Sequence, residues 1–169
     1  RKLECGMSTL EVKAIQAPSG FDLDMPAGHI VQVVNASTTT KVDMSSVNHV
    51  DTGLTATITP KFATSKILVL VHQNGLHKHN NQANNDITIY LKRGSSTISI
   101  FANFLGFTQS AMNLYSATAS TSYLDSPSTT SATTYKTTFA NPDGGGASGT
   151  VTVQEASAES TITLMEVAQ

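Results

Sequence analysis

The sequence of 169 residues contains one cysteine, no tryptophan and only 13% charged residues. A single thiol, Cys5, cannot form a disulfide within the chain, so disulfides do not stabilise the fold. No apolar run approaches the ~20 residues of a membrane-spanning helix. Lys and Arg number 10 against 12 Asp and Glu, without a basic cluster. This charge pattern predicts a protein that binds neither nucleic acid nor an anionic membrane.

Serine and threonine fill polar positions that charged residues would occupy in other proteins. Threonine suits a pleated, half-buried surface, and no segment sustains the i, i+3, i+4 apolar pattern of an amphipathic helix over three turns. The length fits one domain with its own core. The composition therefore predicts an all-β protein.

Residues 1–28 are predicted to form an extended N-terminal arm, because "APSGFDLDMPAG" interrupts regular structure with two prolines and two glycines. Residues 1–6 precede Met7 and are interpreted as upstream or foreign sequence. Leu10 and Val12 alternate with charged residues, so the arm can add a strand to the sheet of a neighbouring protein. Both are candidate interface residues.

Residues 29–169 show short strand patterns separated by turn signals. "LTATIT" alternates strictly, and "DITIYLKRGSSTISI" predicts a hairpin that turns at "RGSS" and returns Ile98 and Ile100 to the core. In "YLDSPSTTSATTYKTTF" a Ser-Pro turn precedes a strand in which Tyr135 and Thr137 lie opposite Thr134, Lys136 and Thr138, and hydroxyls are predicted to line an exposed sheet face. About eight such strands predict a jelly-roll β-sandwich.

The closing segment "TITLMEV" carries apolar residues on both faces. A single sandwich covers only one face of each sheet, so neighbouring subunits are expected to cover the other. Four residues of this strand are therefore predicted at a subunit interface: Ile162, Leu164, Met165 and Val167.

Two polar motifs have a possible chemical role. "GGGASG" at 144–149 formally matches G-x-G-x-x-G, but it leads into a strand instead of a helix, so a loop explains it better than a nucleotide site. His77 and His79, two residues apart on a predicted strand, point the same way, as zinc ligands do. No carboxylate or cysteine lies nearby in sequence to complete the set. No metal or cofactor is therefore predicted, and these two histidines are kept as candidate ligands.

The sequence specifies no catalytic constellation. It has no G-x-S-x-G elbow, and its sparse carboxylates define no acid–base pair. No enzymatic activity is predicted. A carbohydrate-processing enzyme, which would need paired carboxylates in one cleft, is the least favoured alternative.

Several segments resemble a family of virion structural proteins of tailed phages, especially phages of aquatic bacteria. These segments are "MPAGHIVQVVNASTTT", "VDTGLTATITPKFATSKILVLV", "YLDSPSTTSATTYK" and "STITLMEVA", and the resemblance extends over most of residues 7–168. Family members are similar to the trimeric jelly roll of tumour necrosis factor and complement heads. The resemblance implies a homotrimer on the outer surface of a virion.

Two roles follow from that resemblance. The favoured one is a capsid decoration (cement or knob) protein, anchored to other virion proteins through its arm. The alternative is the receptor-binding tip of a tail or head fibre, which would contact a host surface protein or glycan. Aromatic side chains beside polar loops would form such a site. The candidates are Phe101, Phe104, Phe107 and Tyr115.

Overall fold

The structure, a computed structural model, describes residues 26–79, 83–142 and 149–169; of residues 114–116 it describes the backbone only. Leu10 and Val12 of the predicted arm therefore lie outside the described residues, as do Gly144 and Gly146 of the glycine motif. Among the described residues, no helix is long and apolar enough to cross a membrane.

The described part of the chain is built from short strands and one 3-10 turn. The strands are β1 (Ile30–Thr38), β2 (Val42–Met44), β3 (Val50–Ile58), β4 (Lys66–Lys78), β5 (Ile87–Arg93), β6 (Ser96–Leu105), β7 (Leu114–Asp125), β8 (Thr133–Ala140), β9 (Val151–Val153) and β10 (Ser160–Val167). The turn, η1, is Glu155–Ser157, between β9 and β10.

The strands form two antiparallel sheets. In the first sheet β10 lies between β1 and β4, β7 pairs with the other edge of β4, and the short β9 and β2 extend the sheet at the far end of β4. The second sheet has the order β3-β8-β5-β6. The chain crosses repeatedly between the sheets, which is jelly-roll topology. The predicted all-β, jelly-roll-like sandwich is confirmed.

The space between the sheets holds two apolar clusters. The first contains the alternate residues of "LTATIT", with Leu54 and Ile58 each 1% exposed, packed against β4 and β10. The second lies at the opposite end of the sandwich, where Ile87, Ile89 and Phe139 are fully buried. The inward faces of β3 and β5 are thus the ones that sequence periodicity predicts.

A layer of buried polar side chains separates the two clusters. On β8, Thr137 lies between Tyr135 of the first cluster and Phe139 of the second, and on β4 Gln73 lies between Val71 and Leu76. The layer consists of Thr52, Gln73, Thr137, Gln154 and Ser160, all 0% exposed.

Hydrogen bonds join this polar layer from sheet to sheet. Thr137 Oγ1 lies 2.5 Å from Thr52 Oγ1 and donates to Gln73 Oε1 at 2.9 Å, and Gln73 Nε2 donates to Ser160 Oγ at 3.0 Å. Buried polar groups need such partners. The prediction that the β8 hydroxyls on the face opposite Tyr135 and Thr137 are exposed is wrong for Thr138, which is 3% exposed. Threonine is nearly isosteric with valine, so it packs in a core once its hydroxyl is bonded.

The predicted hairpin turn is confirmed, but one of the two residues predicted to return to the core does not do so. β5 ends at Arg93 and β6 begins at Ser96, with Gly94 in the left-handed region at φ 57°. Ile98 packs against the first cluster, but Ile100 is 54% exposed. Register shifts along the β5–β6 ladder change which residues face inward, and Phe101 takes the inward place.

Candidate functional site

The outward face of the first sheet carries a row of apolar side chains. Val33 of β1 pairs with Met165 of β10, Met165 pairs with Leu68 of β4, and Leu68 pairs with Leu124 of β7. We call these four residues the outer apolar band; across four strands it is about 14 Å long. Val33 is 55% exposed and Leu124 is 50% exposed. A sheet face in contact with water alone is normally polar, so the band is suited to contact with protein.

The predicted interface residues of β10 divide between the two faces of this sheet. Met165 and Val167 point outward, and Met165 belongs to the outer apolar band. Ile162 and Leu164 are 0% exposed and pack in the first cluster of their own subunit, which corrects their assignment to an interface. The cause is the two-residue period of a strand, which sends alternate side chains to opposite faces.

Two of the predicted aromatic contact residues lie together on the surface. The rings of Phe104 and Phe107 pack edge to face with centroids 6.0 Å apart, and the side chains are 52% and 40% exposed. Phe101 instead packs against both core clusters, so its assignment to a contact surface is corrected. The side chain of Tyr115 lies outside the described part of the chain.

His77 and His79 lie on the outward face at the far end of β4. In the register of the sheet, Asp43 of β2, Thr152 of β9 and His77 form one row. The two imidazole rings stack at a centroid distance of 4.1 Å and an interplanar angle of 30°. The sequence expectation that both histidines point the same way is met.

The structure brings a carboxylate to these histidines. One ligand atom each from His77, His79 and Glu155 lies within 4.8 Å of the other two, and His77 Nδ1 is 3.6 Å from Glu155 Oε2. Glu155 follows the histidines by more than 70 residues in the chain. Because of that separation the sequence does not reveal Glu155 as a partner of the histidines; the position of η1 beside β4 brings it there.

A glycine allows η1 to approach β4 this closely. Gly75 has φ 61°, in the left-handed region, and a Cβ atom built on it would lie 2.5 Å from the backbone nitrogen of Glu155. The turn itself holds Gln154, Ala156 and Ser157 at positive φ. Such conformations are uncommon for residues other than glycine and persist where the surroundings enforce them. Gly75 is thus a positioning residue for the Glu155 carboxylate.

A lysine balances the charge of this cluster. Lys41 Nζ lies 3.0 Å from Glu155 Oε2 and 3.4 Å from Asp43 Oδ1. The hydrogen bond from Lys41 lowers the pKa of Glu155. Burial, and next the neighbouring His77, lower the pKa of His79. The cluster therefore holds an ionised carboxylate beside an imidazole that is neutral at neutral pH.

Comparison with known proteins shows a distant structural similarity to a viral protein. No protein-family model matches the chain, and no curated protein matches it in sequence. The VP2 chain of an infectious bursal disease virus subviral particle is similar in structure, with 11% identity and a TM-score of 0.45 over 94% of this chain. The match covers 42% of that VP2 chain, so this chain spans less than half its length. A similarity of this extent does not bear on function.

Proposed function

We propose that this chain is a structural protein of a virus particle and acts as a homotrimeric capsid decoration protein. The observation that carries the proposal is the outer apolar band. Removing its side chains from water on assembly is favourable by roughly 25 cal/mol per Å² of apolar area. The next outward row in the register, formed by Asn35, Thr163, Leu70 and Ser122, carries no charge that would oppose association.

The choice of partner and copy number rests on the sequence. The resemblance of residues 7–168 to virion proteins with a trimeric jelly roll favours three identical subunits. Residues 1–28 would then attach the trimer to another virion protein, with "STLEVKAIQ" adding a strand to the partner's sheet.

Oligomeric state tests the first part of the proposal. We expect the protein to be a trimer by native mass spectrometry, and Met165→Asp and Leu124→Asp to be folded monomers, since each places a charge in the band. Ser122→Asp is the matched control, because Ser122 is exposed on the same face of β7 and outside the band. A wild-type protein that is monomeric at micromolar concentration would contradict the proposal.

Location on the particle tests the second part. We expect cryo-electron microscopy of virions that carry this chain to place its density on the capsid shell. Deletion of residues 1–24 is expected to leave a folded trimer that no longer attaches to particles lacking the protein. A truncated trimer that still attaches would exclude the arm as the anchor, and density confined to the tail would exclude decoration.

The exposed pair of Phe104 and Phe107 favours a second candidate function, the receptor-binding tip of a fibre. Aromatic faces beside polar loops contact sugar rings and apolar protein surfaces. In this case purified protein should adsorb to host cells and compete with the virus, and Phe107→Ser should abolish competition. Val47→Ser, at another exposed apolar residue, is the control. Absence of competition by saturating protein would rule this function out.

A further inference from the structure

We propose that His77, His79 and Glu155 form a binding site for a divalent transition-metal ion of the Zn²⁺ class on the outward face of the first sheet. This site is independent of the proposed virion role. It also lies apart from the outer apolar band, since His77 comes nine positions after Leu68 on β4, which is about 30 Å of extended strand.

The spacing of the ligand atoms suits such an ion. In tetrahedral coordination with bonds of about 2.0–2.1 Å, neighbouring ligand atoms lie about 3.3 Å apart. The separation of His77 Nδ1 and Glu155 Oε2 is already 3.6 Å, and all three ligand atoms lie within 4.8 Å of one another. A small closure of the His79 and Glu155 side chains, both only partly buried, completes the geometry.

The donor set selects the class of metal. Two imidazole nitrogens and one carboxylate oxygen suit Zn²⁺ and its neighbours Co²⁺, Ni²⁺ and Cu²⁺. Ca²⁺ and Mg²⁺ prefer sets made of oxygen alone. Three protein ligands leave a fourth position for water or for a group from another molecule.

Hydrogen bonds behind His79 orient it as a ligand. Thr152 Oγ1 donates to Asp43 Oδ1 at 2.5 Å and lies 2.9 Å from His79 Nε2. Since the only hydroxyl proton of Thr152 is donated to Asp43, Thr152 accepts from His79 Nε2–H. That bond leaves the lone pair of the neutral ring on Nδ1. A histidine that ligates a metal characteristically donates its other N–H to such a partner.

The ammonium group of Lys41 competes with a metal ion for the Glu155 carboxylate. This group is bonded to Glu155 and Asp43, and the side chain is 42% exposed, so it can swing into solvent when a metal ion arrives. Removing this charge should therefore strengthen metal binding. Lys41→Met is expected to tighten Zn²⁺ affinity several-fold.

Isothermal titration of the untagged protein tests the proposal. The Cys5→Ser background removes the single thiol as an alternative ligand. We expect one Zn²⁺ per subunit, no Ca²⁺ binding, and a Co²⁺ derivative with the visible spectrum of four-coordinate nitrogen and oxygen ligands. His79→Gln and Glu155→Gln should abolish binding with unchanged circular dichroism. Thr152→Val should weaken binding about 10–100-fold, and Thr152→Ser should preserve it.

His72→Gln is the matched control. His72 lies on the same strand and the same outward face, where its Nδ1 bonds to Ser120 Oγ at 2.7 Å. Zn²⁺ binding that is absent in the wild type, that survives in His79→Gln and Glu155→Gln, or that is lost in His72→Gln would overturn the assignment.

Discussion

The hydroxyl of Tyr135 donates a hydrogen bond of 2.6 Å to Asp125 Oδ2, and this bond joins the two sheets of the sandwich. Tyr135 belongs to β8 and is 0% exposed, whereas Asp125 ends β7 and is 7% exposed. Arg93 of β5 also donates to both oxygens of Asp125, at 3.1 and 2.8 Å. A buried carboxylate is thus paired with a cation and a phenol, as burial of a charge requires.

Tyr135→Phe is expected to lower the free energy of unfolding by about 1.5–3 kcal/mol, because a hydrogen bond to a charged acceptor is lost while the ring still packs. Urea denaturation measures the change. Tyr123→Phe, on the same strand as Asp125 and only partly buried, is the control. Equal stability of Tyr135→Phe and the wild type would show that Arg93 alone satisfies Asp125.

The contacts of the buried Glu166 carboxylate predict that the protein loses stability in acid. Glu166 is 0% exposed and accepts bonds from Gln32 Nε2 at 2.6 Å and from the backbone nitrogens of Lys61 and Phe62. Burial raises the pKa of Glu166, but these bonds outweigh it, so the net pKa is lowered from 4.5. The stabilisation is therefore present above this value and lost as the pH falls through the folded-state pKa.

Glu166→Gln should accordingly be less stable than the wild type near neutral pH, and the difference should shrink as the pH falls below about 4.5 towards the folded-state pKa. Denaturation at a series of pH values measures it. Glu159→Gln, at an exposed residue, is expected to show no comparable trend. A difference that stays constant with pH would mean that Glu166 contributes through packing alone.

Thr137→Val tests the buried polar layer. The substitution keeps the shape of the side chain but leaves Gln73 Oε1 without its donor at 2.9 Å. We therefore expect the free energy of unfolding to fall by about 1–3 kcal/mol. Thr57→Val, which removes an exposed hydroxyl pair with Thr134, should change stability by less than about 0.5 kcal/mol. Equal effects at the two sites would mean that burial of the layer adds nothing to its hydrogen bonds.

Gly75→Ala and Gly94→Ala separate backbone strain from steric conflict. Both glycines have positive φ, 61° and 57°, but a Cβ at Gly94 would meet nothing within 4 Å, whereas one at Gly75 meets the backbone of Glu155. Gly94→Ala should lower the free energy of unfolding by about 1–2 kcal/mol, through backbone strain alone. Gly75→Ala should lower the free energy of unfolding by more than Gly94→Ala does, which thermal denaturation measures, and should also displace η1. Equal losses of stability in the two variants would show that η1 shifts freely.

Leu164→Asp and Val167→Asp should have different effects, although both residues lie on β10 and are only three positions apart. Leu164 is fully buried between the sheets, so an aspartate there is expected to prevent folding, since the charge would be buried without a partner. Val167 faces outward, so Val167→Asp should fold and, under the proposed assembly, dissociate the trimer. Circular dichroism and light scattering distinguish the outcomes; a folded Leu164→Asp would contradict the placement.

The sequence alone was sufficient for the fold class, the turn at Gly94 and the inward faces of β3 and β5. These features depend on local chemistry: a two-residue apolar period assigns faces, and glycine marks a left-handed turn. The same local rule misplaced Ile100, because a register shift, set by pairing with β5, reverses the faces after it.

Only the tertiary structure decided which distant residues meet. The register of four strands aligns Val33, Met165, Leu68 and Leu124 into one band, and the turn beside Gly75 carries Glu155 to His77. It also places Thr137 within hydrogen-bonding distance of Gln73 inside the core. Strand pairing joins residues far apart in the chain, and no local periodicity encodes the register that brings them together.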